Sequence, residues 1–269
     1  MTAAPIETED QLSLSTALRQ QTQVVHDQAE NSAYVRQLLG GALPLAAYTA
    51  LVAQNHAIYT ALEAAAEAWR DDPVAGPFVF DELTRVPHLE ADLHQLLGDD
   101  WAQQAVELQV PATDAYVSRL HQVAGDWPGA FIAHHYVRYL GDLSGGQVIK
   151  ATVTRIYGED GHRSTGFYTF DRIERIKPFR DRYRELLDTA PLTREQQQRV
   201  VAEAVSVFEL NRAVFADLAE RYLPPEATPA AAGGASRDHD RADHDRADGG
   251  SGDGTPPEGA APDGGDEAA

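Results

Sequence analysis

One stretch of the chain restricts its fold more than any other. From Val201 onward, Ala204, Phe208, Asn211, Phe215, Leu218 and Tyr222 follow at alternating steps of three and four residues. Only an α-helix, at 3.6 residues per turn, gathers such positions onto one side. The stripe is apolar except for Asn211, which needs hydrogen-bond partners if it is buried. Ahead of it, Thr193 and Gln196 have the spacing of a capping box, which predicts where this helix begins.

The same period recurs toward the N-terminus, while strand signals are weak throughout. A first helix is predicted to start near Ser13 or Ser15, with Leu14, Leu18, Val25 and Ala29 on one side. Gly40-Gly41 ends a short second helix, and Pro44 opens a long third one running to about Arg70. Residues 71–80 read as a Pro- and Gly-containing loop, 83–97 as a helix stopped by Gly98, and about 112–124 as another helix. Pro128 starts the next, which reaches Tyr157-Gly158 with interruptions at Gly141 and Gly145-Gly146. Pro178 sits in the first turn of a helix over 178–189. The expectation is all-α, with one domain over 13–223.

Composition sets the edges of that domain. Residues 224–269 contain no Val, Ile, Leu or aromatic side chain, and carry eleven acids against three arginines. A segment with nothing apolar to bury cannot offset the entropy of being ordered, so disorder is expected there and over 1–12. An Asp-His-Asp-Arg-Ala repeat occurs twice in 238–247 and reads as low complexity. These ends carry over half of the net charge of −20. A net negative chain is a poor partner for nucleic acid or an anionic membrane. The absence of cysteine excludes disulfides, thiolate ligands and cysteine nucleophiles. Residues 37–62 are uncharged and long enough to span a bilayer, but Gln54-Asn55-His56 interrupts them and Gly40-Gly41 and Pro44 stand at the front. A buried helix of the core is the expectation, and the N-terminus has neither the basic nor the apolar run of a secretory signal. A cytoplasmic protein is expected.

Three features call for chemistry. The run from Arg138 to Gln147 puts Gly141, Gly145 and Gly146 inside a helical pattern, at roughly 1 kcal/mol each against alanine. Either two shorter helices join or pack closely there, or something flat lies against the exposed backbone. His26 is on an amphipathic helix with Glu30 one turn on and Arg19 two turns back. A carboxylate so placed can orient a ligating imidazole, although His56, His134 and His135 rival His26 on spacing alone. Residues 172–184 form a basic island of five arginines and one lysine against two acids. Arg180 and Arg184 share a helix face there, and such a row is either a solvated surface or a grip on carboxylates.

His26 in its context from Leu18-Arg19-Gln20-Gln21-Thr22 to Ala29-Glu30, together with the run HHYVRYLGDLSGGQ at 134–147, resembles the haem oxygenases. The likeness covers nearly all of 13–223 and is closest to soluble bacterial members. It implies a single-domain multihelical fold with haem b between a proximal helix and a glycine-broken distal helix. It implies that His26 is the iron ligand, with Glu30 hydrogen-bonded to its ring, and that Gly141, Gly145 and Gly146 pass over the haem. Arg19, Tyr136, Arg180 and Arg184 fall where the family contacts propionates, with Arg19 standing where many members have lysine. Tyr59, Arg138, Asp142 and Asn211 match the family's distal hydrogen-bond network. Haem would be both cofactor and substrate, cleaved with molecular oxygen to biliverdin, iron and carbon monoxide. With no nicotinamide or flavin fingerprint in the sequence, electrons would come from an external reductase or ferredoxin, an acidic one suiting the basic island. A haem carrier without turnover would need neither Asp142 nor the full glycine set. A di-iron bundle would need Glu-x-x-His pairs on helices, and Glu159 with His162 is the only such spacing.

Overall fold

The computed structural model describes residues 12–224, all within one compact unit. The expected disordered ends, with the Asp-His-Asp-Arg-Ala repeat, otherwise lie outside the described residues. Ten α-helices and three short 3₁₀ turns make up those residues, with no strand among them. The helices are α1 (Leu14–Glu30), α2 (Ala33–Leu39), α3 (Leu45–Ala68), α4 (Val86–Leu97) and α5 (Trp101–Leu108). They continue as α6 (Pro111–Val123), α7 (Pro128–Asp142), α8 (Gly145–Arg163), α9 (Ile176–Thr189) and α10 (Arg194–Tyr222).

The predicted stripe makes α10 the spine of the fold. Its 29 residues lie against α1, α2, α3, α6 and α7, with Val201, Ala204, Phe208, Asn211 and Leu218 buried and Phe215 and Tyr222 half-buried. The capping box forms in both directions: Thr193 Oγ1 accepts from Gln196 N at 3.3 Å, and Gln196 Oε1 from Thr193 N at 2.8 Å. The uncharged 37–62 run does become core helix, since thirteen residues of α3 are buried. Its polar interruption has partners. Gln54 accepts from Val110 N and Thr113 Oγ1 and donates to Ala50 O and Leu108 O, which ties α3 to the start of α6. No described helix is long and apolar enough to cross a membrane.

Four boundaries differ from expectation. Residues 81–83 form a 3₁₀ turn, and α4 starts only at Val86, where Pro87 fits the first turn because no intrahelical donor is needed there. α5 fills a span to which the sequence reading assigns no element, between Gly98 (φ 79°) and Pro111. Gly141 does not interrupt its helix: α7 runs through it to Asp142, and the break falls at Leu143 and at Ser144 (φ −121°, ψ −87°). Gly158 is a kink at φ 58° and not an end, because the helix resumes as far as Arg163. At α1, Ser13 is the N-cap but its side chain caps nothing. Asp188 of α9 substitutes, accepting from Ser15 N at 2.8 Å and Ser15 Oγ at 2.9 Å, and so joins α1 to α9.

Candidate active site

α1 turns its apolar side to α10 and leaves His26 at the edge, its side chain 40% exposed and its ring edge-on to Phe208 at 5.5 Å. Glu30 Oε1 lies 3.4 Å from His26 Nε2, close to it but without the hydrogen bond expected. The other ring nitrogen, Nδ1, is buried 3.6 Å from Asp27 Oδ1 without a hydrogen bond, so Nε2, beside Glu30, is the ring atom turned toward the glycines. The rival histidines are placed differently. His134 and His135 are buried in the core. There His134 Nε2 lies 3.1 Å from Glu203 Oε1, and His135 Nδ1 lies 2.8 Å from the Tyr183 hydroxyl. Burial pushes the His135 pKa down to about 3. His56 packs edge-on against Trp101.

Facing the end of α1 is the break between α7 and α8. A side chain at Gly145 would point toward Glu30, its first carbon 3.6 Å from Oε1, and one at Gly141 would meet nothing within 4 Å. These two glycines, four apart in sequence, line an open face. Gly146 does not share it. A Cβ there would lie 2.8 Å from the Tyr168 ring, so this glycine is required by packing on the far side of the helix. The structure thus gives Gly146 a packing role against Tyr168.

Behind that open face the four predicted network residues do meet. The Tyr59 hydroxyl donates to Asp142 Oδ2. Arg138 lies over the Tyr59 ring at 5.0 Å and donates to Asn211 Oδ1 at 2.8 Å, which gives the polar member of the α10 stripe its partner. Its remaining amine donates to Asn55 Oδ1 at 2.7 Å. Asn55 was missed as a site residue, although its signal was present in the polar break in an uncharged helix. Burial raises the Asp142 pKa above the ordinary carboxylate range, opposed by the Arg138 charge and the Tyr59 hydroxyl. Asp142 can thus hold a proton at a higher pH than a surface aspartate.

A second cluster lies where α1, α7 and α9 adjoin. Burial raises the Tyr136 pKa, while the guanidiniums of Arg184, Arg19 and Arg180 pull it back down. Arg180 is held below its usual value by burial and by Arg184, and its Nε is buried without a partner. Arg184 is tied to Asp181 at 2.9 Å, whereas Arg180 has no salt bridge among the described residues. Three guanidiniums around one phenol make this corner of the molecule cationic.

The fold and site define an all-helical protein with an exposed histidine opposite a glycine face, a carboxylate whose pKa burial raises and a flanking cationic cluster. The profile of the family described as "Heme oxygenase" matches residues 12–217. The chain is 41% identical over 206 residues to "Heme oxygenase" of Porphyra purpurea, covering 77% of this chain and 86% of the relative. It is 39% identical to "Heme oxygenase 1" of Rattus norvegicus over 207 residues, covering 76% and 71%. The crystal structure of haem oxygenase-1 from Synechocystis, determined in complex with haem, superposes with a TM-score of 0.73 at 34% identity, covering 78% of this chain and 94% of that one. The protein belongs to the haem oxygenase family.

Proposed function

We propose that this chain binds haem b between α1 and the α7–α8 break and cleaves it with molecular oxygen to biliverdin, iron and carbon monoxide. The observation that carries the reading is His26 Nε2 on the side of Gly145, with Glu30 Oε1 3.4 Å from the nitrogen and 3.6 Å from where a side chain at Gly145 would begin. Gly141 and Gly145 present backbone and no side chain to a flat ligand, and Glu30 is the group that moves aside for it. Haem, when bound, supplies the iron at which oxygen is reduced and the ring that is cleaved. His26 holds that iron from the α1 side, and Glu30 swings from Gly145 to orient the imidazole. Arg19, Tyr136, Arg180 and Arg184 take the propionates and so fix the rotation of the ring in its plane. Gly141 and Gly145 form a low ceiling, and Asp142, held by Tyr59 with Arg138 and Asn211 behind, stores a proton beside it. The electrons come from an external ferredoxin or flavin reductase of acidic surface, matched to the basic residues of 172–184.

The test is to mix the purified chain with haem, add a reductant in air and record the absorption spectrum. A histidine-ligated haem spectrum that gives way to a bile pigment is expected. Haem bound and left intact would make the protein a carrier. A further expected result concerns the cation cluster: Arg180→Glu weakens haem binding roughly 10- to 100-fold, the loss of a charge-assisted contact plus repulsion. Arg175→Glu, on the exposed start of α9, leaves it unchanged. Equal effects in a haem titration would remove the cluster from the site.

A further inference from the structure

The packing of Gly146 against Tyr168 shows what holds the start of α8 in place. Tyr168 is 2% exposed and presents Cδ1 and Cε1 to the Cα of Gly146, at 2.8 and 3.2 Å from where a Cβ would be. Gln147, the next residue, donates from Nε2 both to Tyr168 O at 3.0 Å and to Asp142 O at 3.2 Å. One amide therefore joins the end of α7 and the start of α8 to Tyr168. The 3₁₀ turn carrying Tyr168, Gly166–Tyr168, is itself pinned. The Asp92 carboxylate of α4 accepts from Gly166 N at 2.9 Å and Phe167 N at 2.8 Å. Arg85, wholly buried, donates to Thr169 O at 2.7 Å. Phe167 packs edge-on against Tyr59 at 5.1 Å, so the turn also touches the partner of Asp142. On its other side, a side chain at Gly145 would meet Glu30 alone within 4 Å.

We propose that Tyr168 is a positioning residue, a rigid back-stop whose ring against Gly146 sets how far the glycine face stands from His26. This rests on the haem reading above. Carbon atoms rest about 3.5–4.0 Å apart, so a methyl group at 146 overlaps the ring by more than half an ångström. Because the turn behind the ring is tied to α4 at two carboxylate bonds, the helix start yields and moves toward α1. The ceiling drops, and Asp142 moves with it.

The height of the ceiling is measurable without turnover, from the affinity of the ferric haem complex for cyanide and for fluoride. Cyanide stands two atoms high over the iron and feels the ceiling, whereas fluoride is a single atom and serves as the reference. In Gly146→Ala, cyanide affinity falls about tenfold, from overpacking, with fluoride within about twofold. Tyr168→Leu alone raises the cyanide-to-fluoride ratio, because the ceiling relaxes away. The double variant returns the ratio to near the wild-type value, and Tyr168→Phe, which keeps the ring, does not change it. An equal fall for both anions in Gly146→Ala, or a double variant no better than the single, overturns the proposal. If Gly146→Ala does not fold, Tyr168→Leu decides, and an unchanged ratio there overturns it. Absence of any histidine-ligated complex in the wild type would instead refute haem binding itself.

Discussion

His26→Ala abolishes the histidine-ligated haem spectrum and leaves haem held only by the cation cluster and apolar contacts. The expectation follows from exposure and partners. Among the described histidines considered as ligands, His26 has the most exposed side chain, and its Nε2 lies on the side of Gly145 with Glu30 between them. His134 and His135 are committed to Glu203 and Tyr183 inside the core. The substitution removes a half-exposed ring at the rim of α1 and leaves Leu14, Leu18 and Ala29 packed, so the fold survives. Removing only an outer partner of a metal ligand costs about 10- to 100-fold in affinity, and losing the ligand itself costs at least that. Added imidazole enters the vacated volume and restores part of the spectrum, which a folding defect would not permit. Glu30→Gln is the milder companion, with the ligand retained and its orientation weakened. Titration of the apoprotein with haem, followed by absorption with and without imidazole, checks all three. An unaltered spectrum in His26→Ala would end the assignment and turn attention to His56.

What was legible in the sequence divides along physical lines. Helical periodicity is local, so the α10 stripe, its capping box and the buried α3 could be read from residue order alone. The break at Leu143 and Ser144 could not, because glycine propensity marks Gly141 as the weak point while Gly141 is helical in the structure. Propensity is a weak prior, and tertiary packing decided the matter. The eight residues of α5 are too short for a convincing period. The network members at 59, 138, 142 and 211 are far apart in the chain, and no spacing rule links them; only the resemblance grouped them before the structure did. Gly146 stands next to Gly145 in the chain, and only the structure shows that its missing side chain would face Tyr168. One residue's step along a helix is 100° of rotation, enough to carry it from the open face to Tyr168.

Asp142→Ala leaves folding and haem affinity near wild type and lowers the rate of bile-pigment formation by about 100- to 10,000-fold, the usual cost of losing a positioned proton donor. The residue closes α7 just before the break and touches the site through the Tyr59 hydroxyl, without being part of the core. What the variant loses is a carboxyl whose proton is retained above the ordinary carboxylate range, because burial disfavours its charge more than Arg138 and Tyr59 favour it. The sign of the pH dependence follows from that shift. The proton is present at low pH and leaves as pH rises through the raised value, so the wild-type rate falls on the alkaline side of it. Asp142→Asn keeps the shape and can still hold a water by hydrogen bonds, so it loses less rate than alanine, but it does not titrate and its profile lacks that limb. Tyr59→Phe removes one of the three influences that hold the Asp142 pKa down, the others being the Arg138 and Arg85 charges, and moves the limb to higher pH. Single-turnover absorption measurements across pH, on the haem complexes of the wild type and the three variants, separate a proton role from a packing role. A packing role would lower the rate by one factor at every pH. If Asp142→Ala formed bile pigment at the wild-type rate, or if the limb persisted unchanged in Asp142→Asn, the proton would have to come from elsewhere. Glu63 is then the next group to test, since burial also raises its pKa and it accepts from the Tyr139 hydroxyl at 3.3 Å, whose ring packs edge-on against Tyr59.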